Sequence, residues 1–189
     1  MIFPSGIEDP RNIVDKYKNG ERYWSDENIR EDLDNKRNNF SVLCASVKGD
    51  LNIGNIIRSS NAFLAKEVFI YGRKRWDRRS SLGTQNYTHF NHIEEFDLES
   101  IKRISKDYHI VGIDNIKNAK PIENYQWPIS KHTLICFGSE ATGLPQEILD
   151  LCHDLVYISQ YGSVRSLNVS SAASIVFYDY VQKKQKIGI

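Results

Sequence analysis

The chain predicts an α/β fold: a mostly parallel sheet with helices on both faces. Three observations predict it. Short apolar runs alternate with helical stretches along most of the chain, the order that builds β–α–β units. Those runs are nearly continuous in Val, Ile, Leu, Phe and Cys, as expected of strands covered on both faces. The chain has 189 residues, 40% apolar and 11% aromatic, which suffices for one substantial core and argues against a disordered chain.

The elements follow in order. Residues 1–39 are polar and predict a helical N-terminal extension with little core. Within it Ser25 reads as an N-cap, with Asp26 and Glu27 in the first turn of a helix over 26–38 anchored by Ile29 and Leu33. Residues 40–189 are expected to form the main domain. There, 40–47 reads as a buried strand, and Ile53, Ile56, Ile57, Ser60 and Leu64 recur at helical spacing. Residues 67–71 form the next strand, closed by Gly72, and 97–107 a polar helix. Strands follow at 108–113 and at 133–137, the latter running into Gly138. Pro145 opens a short helix to about residue 151, and 155–158 is the last strand. Residues 168–183 form a helix with Val169, Ala172, Ala173, Val176 and Tyr180 on one face. Ligands of open parallel sheets sit beyond the carboxyl ends of the strands, here Gly112, Gly138 and the stretch after Ile158.

The formal charge of +1 hides an uneven distribution. Arg73, Lys74, Arg75, Trp76, Asp77, Arg78 and Arg79 carry five cations and one anion, whereas the first 40 residues carry seven cations and nine anions. A dense basic segment around an aromatic suits a polyanion: the cations displace phosphate counterions and Trp76 offers a face on which a base could stack. An Arg-rich solvated loop is the plain alternative. Cys44, Cys136 and Cys152 are odd in number and widely spaced, as expected of reduced thiols in a cytoplasmic protein. No run approaches the roughly 18 apolar residues of a membrane helix, and the start does not resemble a secretory signal. No metal is expected: His89-x-x-His92 with Glu94 and Glu95 reads as a polar loop. The sequence contains no G-x-G-x-x-G, no P-loop and no G-x-S-x-G elbow. Cys152 beside His153 is a weak nucleophile pair, because sequence neighbours rarely face each other.

Three segments hold the remaining chemistry. In 50–58, Asn52 stands where an amide caps a helix start, Gly54 permits close backbone approach, and Arg58 lies off the apolar stripe. An ordinary surface Arg on an amphipathic helix explains the last equally. In 137–145 a strand enters a tight loop with Gly138, Gly143 and one carboxylate, Glu140; a plain strand-to-helix turn is the alternative. In 158–169 a long irregular loop leads to a helix capped by Ser166 or Asn168; capping alone is the alternative, and the loop's length favours ligand binding.

In this order and at these separations, the three segments resemble the motifs of the SpoU/TrmH family of RNA ribose 2′-O-methyltransferases, part of the SPOUT superfamily. The first is matched by Asn52, Gly54, Arg58 and Asn61-Ala62-Phe63, the second by Phe-Gly-Ser-Glu-x-x-Gly-Leu at 137–144, the third by Ser-Leu-Asn-Val-Ser at 166–170. The likeness covers about residues 40–182, and Val14-Asp-Lys-Tyr-Lys18 with the basic segment extends it toward a bacterial TrmH-like subgroup. The third motif often begins Ile-Pro-Met in that family, where this chain has Ile158-Ser159-Gln160.

The resemblance implies a C-terminal trefoil knot whose loops bind S-adenosylmethionine, a homodimer with the active site at its interface, and tRNA or rRNA as substrate. It implies that Gly112, Gly138, Ile158 and Leu167 line the cofactor pocket. It implies that Asn52, Arg58, Glu140, Ser166 and Asn168 form the catalytic set. Arg58 is unsuited to be a general base, since a guanidinium pKa above about 12 leaves almost no neutral form. Its expected role is to clamp the target phosphate and lower the hydroxyl pKa. The rival readings are a non-catalytic RNA-binding relative and an enzyme acting on a small metabolite.

Overall fold

The computed structural model describes residues 18–19, 22–23, 25–72, 76–94 and 97–186. In chain order the elements are β1 (Lys18–Asn19), β2 (Arg22–Tyr23), α1 (Asp26–Asp34), β3 (Phe40–Ala45), α2 (Asp50–Ala62), β4 (Val68–Tyr71), β5 (Phe90–Ile93), α3 (Leu98–Ser105), β6 (His109–Ile113), β7 (Lys120–Pro121), β8 (Thr133–Phe137), α4 (Gln146–Leu149), β9 (Asp154–Tyr157) and α5 (Val169–Lys186). Apart from the antiparallel β1–β2 ribbon, the strands form one sheet in the order β5-β4-β3-β8-β6-β9-β7. Every pairing in that sheet is parallel.

The five expected strands are present, and β5 and β7 extend the sheet at its edges. Both escape an apolar-run reading for physical reasons. β5 is Phe-Asn-His-Ile with its first two residues exposed, and β7 is two residues long and contains a proline, which only an edge tolerates. Side chains alternate across the sheet: Phe40, Val42 and Cys44 enter one core cluster, Leu43 and Ala45 the other.

The face carrying α2 and α5 is rich in aromatics. The Phe40 ring lies 5.3 Å from Phe177 and 4.8 Å from Tyr180, and Tyr180 is 5.4 Å from Trp127. The Trp127 indole donates to Asp179 Oδ2 at 2.7 Å, satisfying its polar end. The opposite face, under α3 and α4, is mainly aliphatic: Leu43, Ile101, Ile110, Leu134 and Ile148.

Two helix boundaries differ from expectation. Ser25 caps α1 through Asn28 N at 3.2 Å, but the helix stops at Asp34 rather than near 38. Arg37 is drawn away, donating to Ala65 O at 2.9 Å and Tyr87 O at 2.7 Å, so tertiary hydrogen bonds override local propensity. α2 begins at Asp50, three residues early, and Leu64 leaves it with a left-handed φ of 54°. Ala65 takes the buried place instead.

Candidate active site

At the carboxyl ends of β6, β8 and β9 the second and third predicted segments line a hollow of about 150 Å³, and the first reaches its edge through Asn52, bonded to Glu140. Gly138, Glu140, Ile158, Ser166 and Leu167 line it. The second segment makes a tight loop in which Ser139 and Gly143 exchange two backbone hydrogen bonds, of 3.0 and 2.9 Å. A Cβ on Gly138 would stand 2.1 Å from the Gly143 carbonyl carbon, so this loop closes only around glycine.

A polar relay joins the segments. Asn52 Nδ2 donates to Glu140 Oε1, and also to Lys48 O at 3.0 Å. Asn168 Nδ2 donates to Asn52 Oδ1 at 3.0 Å. Asn168 Oδ1 in turn accepts from Ser170 N at 2.9 Å and Ser171 N at 3.4 Å, capping α5. A carboxylate only accepts and helix-start N–H groups only donate, so both ends of the relay impose the same orientation on the two amides. Asn52 therefore serves as this link inside the first turn of α2; the N-cap position belongs to Gly49.

Arg58 lies six residues beyond Asn52, about 9 Å along the helix axis, on its exposed side. It borders a second groove of about 290 Å³ with Asn55, Ser59, Ser170, Ser171 and Ser174, not the hollow that Glu140 lines. Ser59 and Ser174 hydroxyls are 2.8 Å apart, so small side chains let α2 and α5 approach closely there.

Gly112 does not line the hollow. A Cβ on it would come within 2.9 Å of Leu155, Cys152 and Leu144, so the packing there requires a glycine, and the next residues, Ile113 and Asp114, line the hollow. Asp114 was not singled out from the sequence. The available signal was a carboxylate at the carboxyl end of a parallel strand. Its Oδ2 accepts from Leu144 N at 2.8 Å and so braces the second segment.

Within the basic segment, Arg73, Lys74 and Arg75 lie outside the described residues. Arg78 and Arg79 are exposed, with Arg79 paired to Asp77 at 2.7 Å. Trp76 is half-buried and packs edge-on against Phe90 at 6.4 Å, so part of its face is used internally. Gly54 is why this segment docks on α2: a Cβ there would meet Ser80 Oγ at 1.8 Å. Asp77 N also donates to Asp50 O at 3.0 Å.

Burial pushes the Cys44 and Cys152 thiols up to about 12 and Cys136 well above its ordinary value. Cys152 turns to Ile148 O, while His153 Nδ1 accepts from Ile110 N, so the adjacent pair diverges. His89 bonds Asp34 at 2.9 Å and His92 bonds Gly72 O at 2.6 Å. Among the described residues no cluster could hold a metal ion, and no helix is long and apolar enough to cross a membrane.

A parallel α/β sheet with a hollow at its strand ends, walled by Gly138 and Gly143, has the form in which such sheets hold small ligands. The SpoU rRNA Methylase family matches residues 39–178, and the chain belongs to that family. It is similar to the tRNA (guanosine(18)-2′-O)-methyltransferase of Aquifex aeolicus, 24% identical over 85% of this chain and 77% of that one. The Saccharomyces cerevisiae enzyme of the same description is 27% identical over 79% of this chain, which spans 11% of its length. Among solved structures, the A. aeolicus TrmH/SpoU tRNA modifying enzyme has a TM-score of 0.75 at 22% identity, covering 86% of this chain and 84% of that one. The SpoU methyltransferase AviRb from Streptomyces viridochromogenes, in complex with AdoMet, has a TM-score of 0.65 at 27% identity, over 78% and 59% of the chains.

Proposed function

We propose that this protein transfers a methyl group from S-adenosylmethionine to a ribose 2′-hydroxyl of RNA, with tRNA as the first substrate to test. The observation that carries the reading is the relay Glu140–Asn52–Asn168, which ties together three segments far apart in sequence beside one hollow. Family membership and the names of the tRNA-modifying relatives support it.

The hollow suits the cofactor. Apolar Ile113, Phe137, Ile158 and Leu167 suit an adenine ring, and Gly138 leaves backbone within reach of a ligand. S-adenosylmethionine supplies an electrophilic methyl group on a sulfonium. The relay orients Glu140 and Asn168 toward the target ribose. Arg58 holds the neighbouring phosphate, and its charge favours the ionised 2′-oxygen as the proton leaves to water. Positioning supplies most of the acceleration.

Because Arg58 stands outside the hollow of its own chain, the site is completed in a homodimer, where the Arg58 face of one protomer meets the other's hollow. Exposed apolar side chains on that side, Leu51, Ile175 and Tyr178, support this. The C-terminal knot enters the same reading. β9 is inserted between β6 and β7, which residues 114–119 connect, and the chain after β9 crosses back to pack α5 on α2. Residues 1–39 act as an extension that helps choose the RNA. In support, Arg30 and Arg37 tie the α1 region to the carbonyls of Asn86 and Tyr87, downstream of the basic segment. Arg73, Lys74, Arg75, Arg78 and Arg79 contact its phosphates, and Trp76 stacks on a base.

Incubation with tritiated S-adenosylmethionine and tRNA, followed by nuclease digestion, is expected to release a 2′-O-methylnucleoside. Label on a base, or none in any RNA, contradicts the reading. Arg58→Ala is expected to slow transfer by ~100-fold or more while cofactor affinity stays within about twofold. Near wild-type transfer with RNA still bound removes Arg58 from the catalytic set.

A further inference from the structure

The charged side chains lining the hollow are Asp114 and Glu140; no Lys, Arg or His lines it among the described residues. The two carboxylates are engaged differently. Glu140 is exposed and takes part in the relay through Asn52. Asp114 is half-buried at the end of β6, and its Oδ2 is held at 2.8 Å by the Leu144 N–H. A Cβ built on Gly143 would come within 2.4 Å of Asp114 Oδ2, so the second-motif loop is shaped around this carboxylate. The result is a fixed negative charge, close to the apolar lining of Ile113 and Phe137, at the wall of the ligand site.

Fixed charge matters here because reactant and product differ in charge. S-adenosylmethionine carries a carboxylate, an ammonium and a sulfonium, one net positive charge. S-adenosylhomocysteine, the product after the methyl leaves, keeps the first two and carries a neutral thioether. A wall with carboxylates and no cation attracts the first more than the second, and partial burial strengthens the difference. A merely steric pocket would hold both alike, since they differ by one methyl group.

We propose that Asp114 is a specificity-determining residue that makes the hollow prefer the cationic methyl donor over the neutral product, and so favours product release. This rests on the assignment of the hollow as the S-adenosylmethionine site. Asp114 also positions the loop through Leu144, so the test must separate charge from scaffolding. Asp114→Asn does so, because an amide oxygen still accepts from Leu144 N–H while the charge is lost.

Titration calorimetry on the full chain measures both ligands against wild-type protein and Asp114→Asn. The variant is expected to bind S-adenosylmethionine roughly five- to tenfold more weakly and S-adenosylhomocysteine within about twofold of wild type. An analogue with a protonated amine in place of the sulfonium is expected to weaken along with S-adenosylmethionine. An equal loss for donor and product makes Asp114 a scaffold residue only and overturns the proposal, as does no change for either. Retained product binding shows at once that the variant is folded. If wild-type protein binds neither ligand, the failure lies with the assignment of the cofactor site and not with Asp114.

Discussion

On one face of the sheet, Phe40, Phe177, Tyr180 and Trp127 interlock beneath α2 and α5. On the other, Leu43, Ile101, Ile110, Leu134 and Ile148 form a mainly aliphatic layer under α3 and α4. The two faces bury similar strands but position different things. Asn52 and Arg58 lie on α2, and Asn168 caps α5, so the ring-packed face sets the relay's geometry. α3 and α4 carry no member of the predicted catalytic set, and their face seals the sheet. The difference teaches that a polar site on two helix starts depends on how firmly those helices are seated several residues away. Aromatic side chains, with large area and few rotatable bonds, suit that task.

The strongest way to break this comparison is Phe177→Ala. It removes a fully buried ring in contact with Phe40, Phe63 and Phe137 and is expected to cost about 3–5 kcal/mol in chemical denaturation. Methyl transfer is expected to fall even where the protein remains folded, because α5 loosens. Ile101→Ala on the opposite face is expected to cost about 2–3 kcal/mol, with the specific activity of the folded fraction unchanged. Equal losses of specific activity in the two variants would erase the distinction between the faces.

Asn52→Ala sharpens the comparison from the other side. It breaks the relay but leaves the core intact, so activity is expected to fall about tenfold or more, with less than about 1 kcal/mol lost in stability. Rate assays paired with denaturation on the same preparation check this.

The smallest expected effect is on pH dependence. His132 is held below its ordinary value of 6.5 first by burial and then by the Lys66 charge. His153 is lowered first by burial, then by His109 and Lys131. Both have depressed folded-state values, so the unfolded chain takes up protons first as the pH falls. Their contribution is fully present above about pH 6.5 and declines below it. The urea midpoint is therefore expected to drop slightly between about pH 7 and pH 5, and less so in His132→Gln.

The central strands and α2 and α5 were legible because both faces are covered: Thr133–Phe137 is a continuous apolar run, and Ile53, Ile56 and Ile57 keep helical spacing. β5 and β7 were not, since edge strands carry polar residues and proline without penalty. The three segments of the site could be named, but not the relay. That Asn52 is a link and not a cap depends on Glu140, 88 residues away, and no local signal encodes such a contact. Gly112 lies outside the lining of the hollow for a related reason. Its place at the end of a strand is visible in the sequence, whereas the crowding by Leu144, Cys152 and Leu155 that requires a glycine is not.

The proposed activity requires the three segments to come together beside the methyl donor. The measurement that tests it most directly is a crystal structure of the protein grown with S-adenosylmethionine. The cofactor is expected between Ile113, Gly138, Ile158 and Leu167, with its methyl group directed toward the relay of Glu140, Asn52 and Asn168. A cofactor seated elsewhere, or a hollow still empty at saturating concentration, would contradict it.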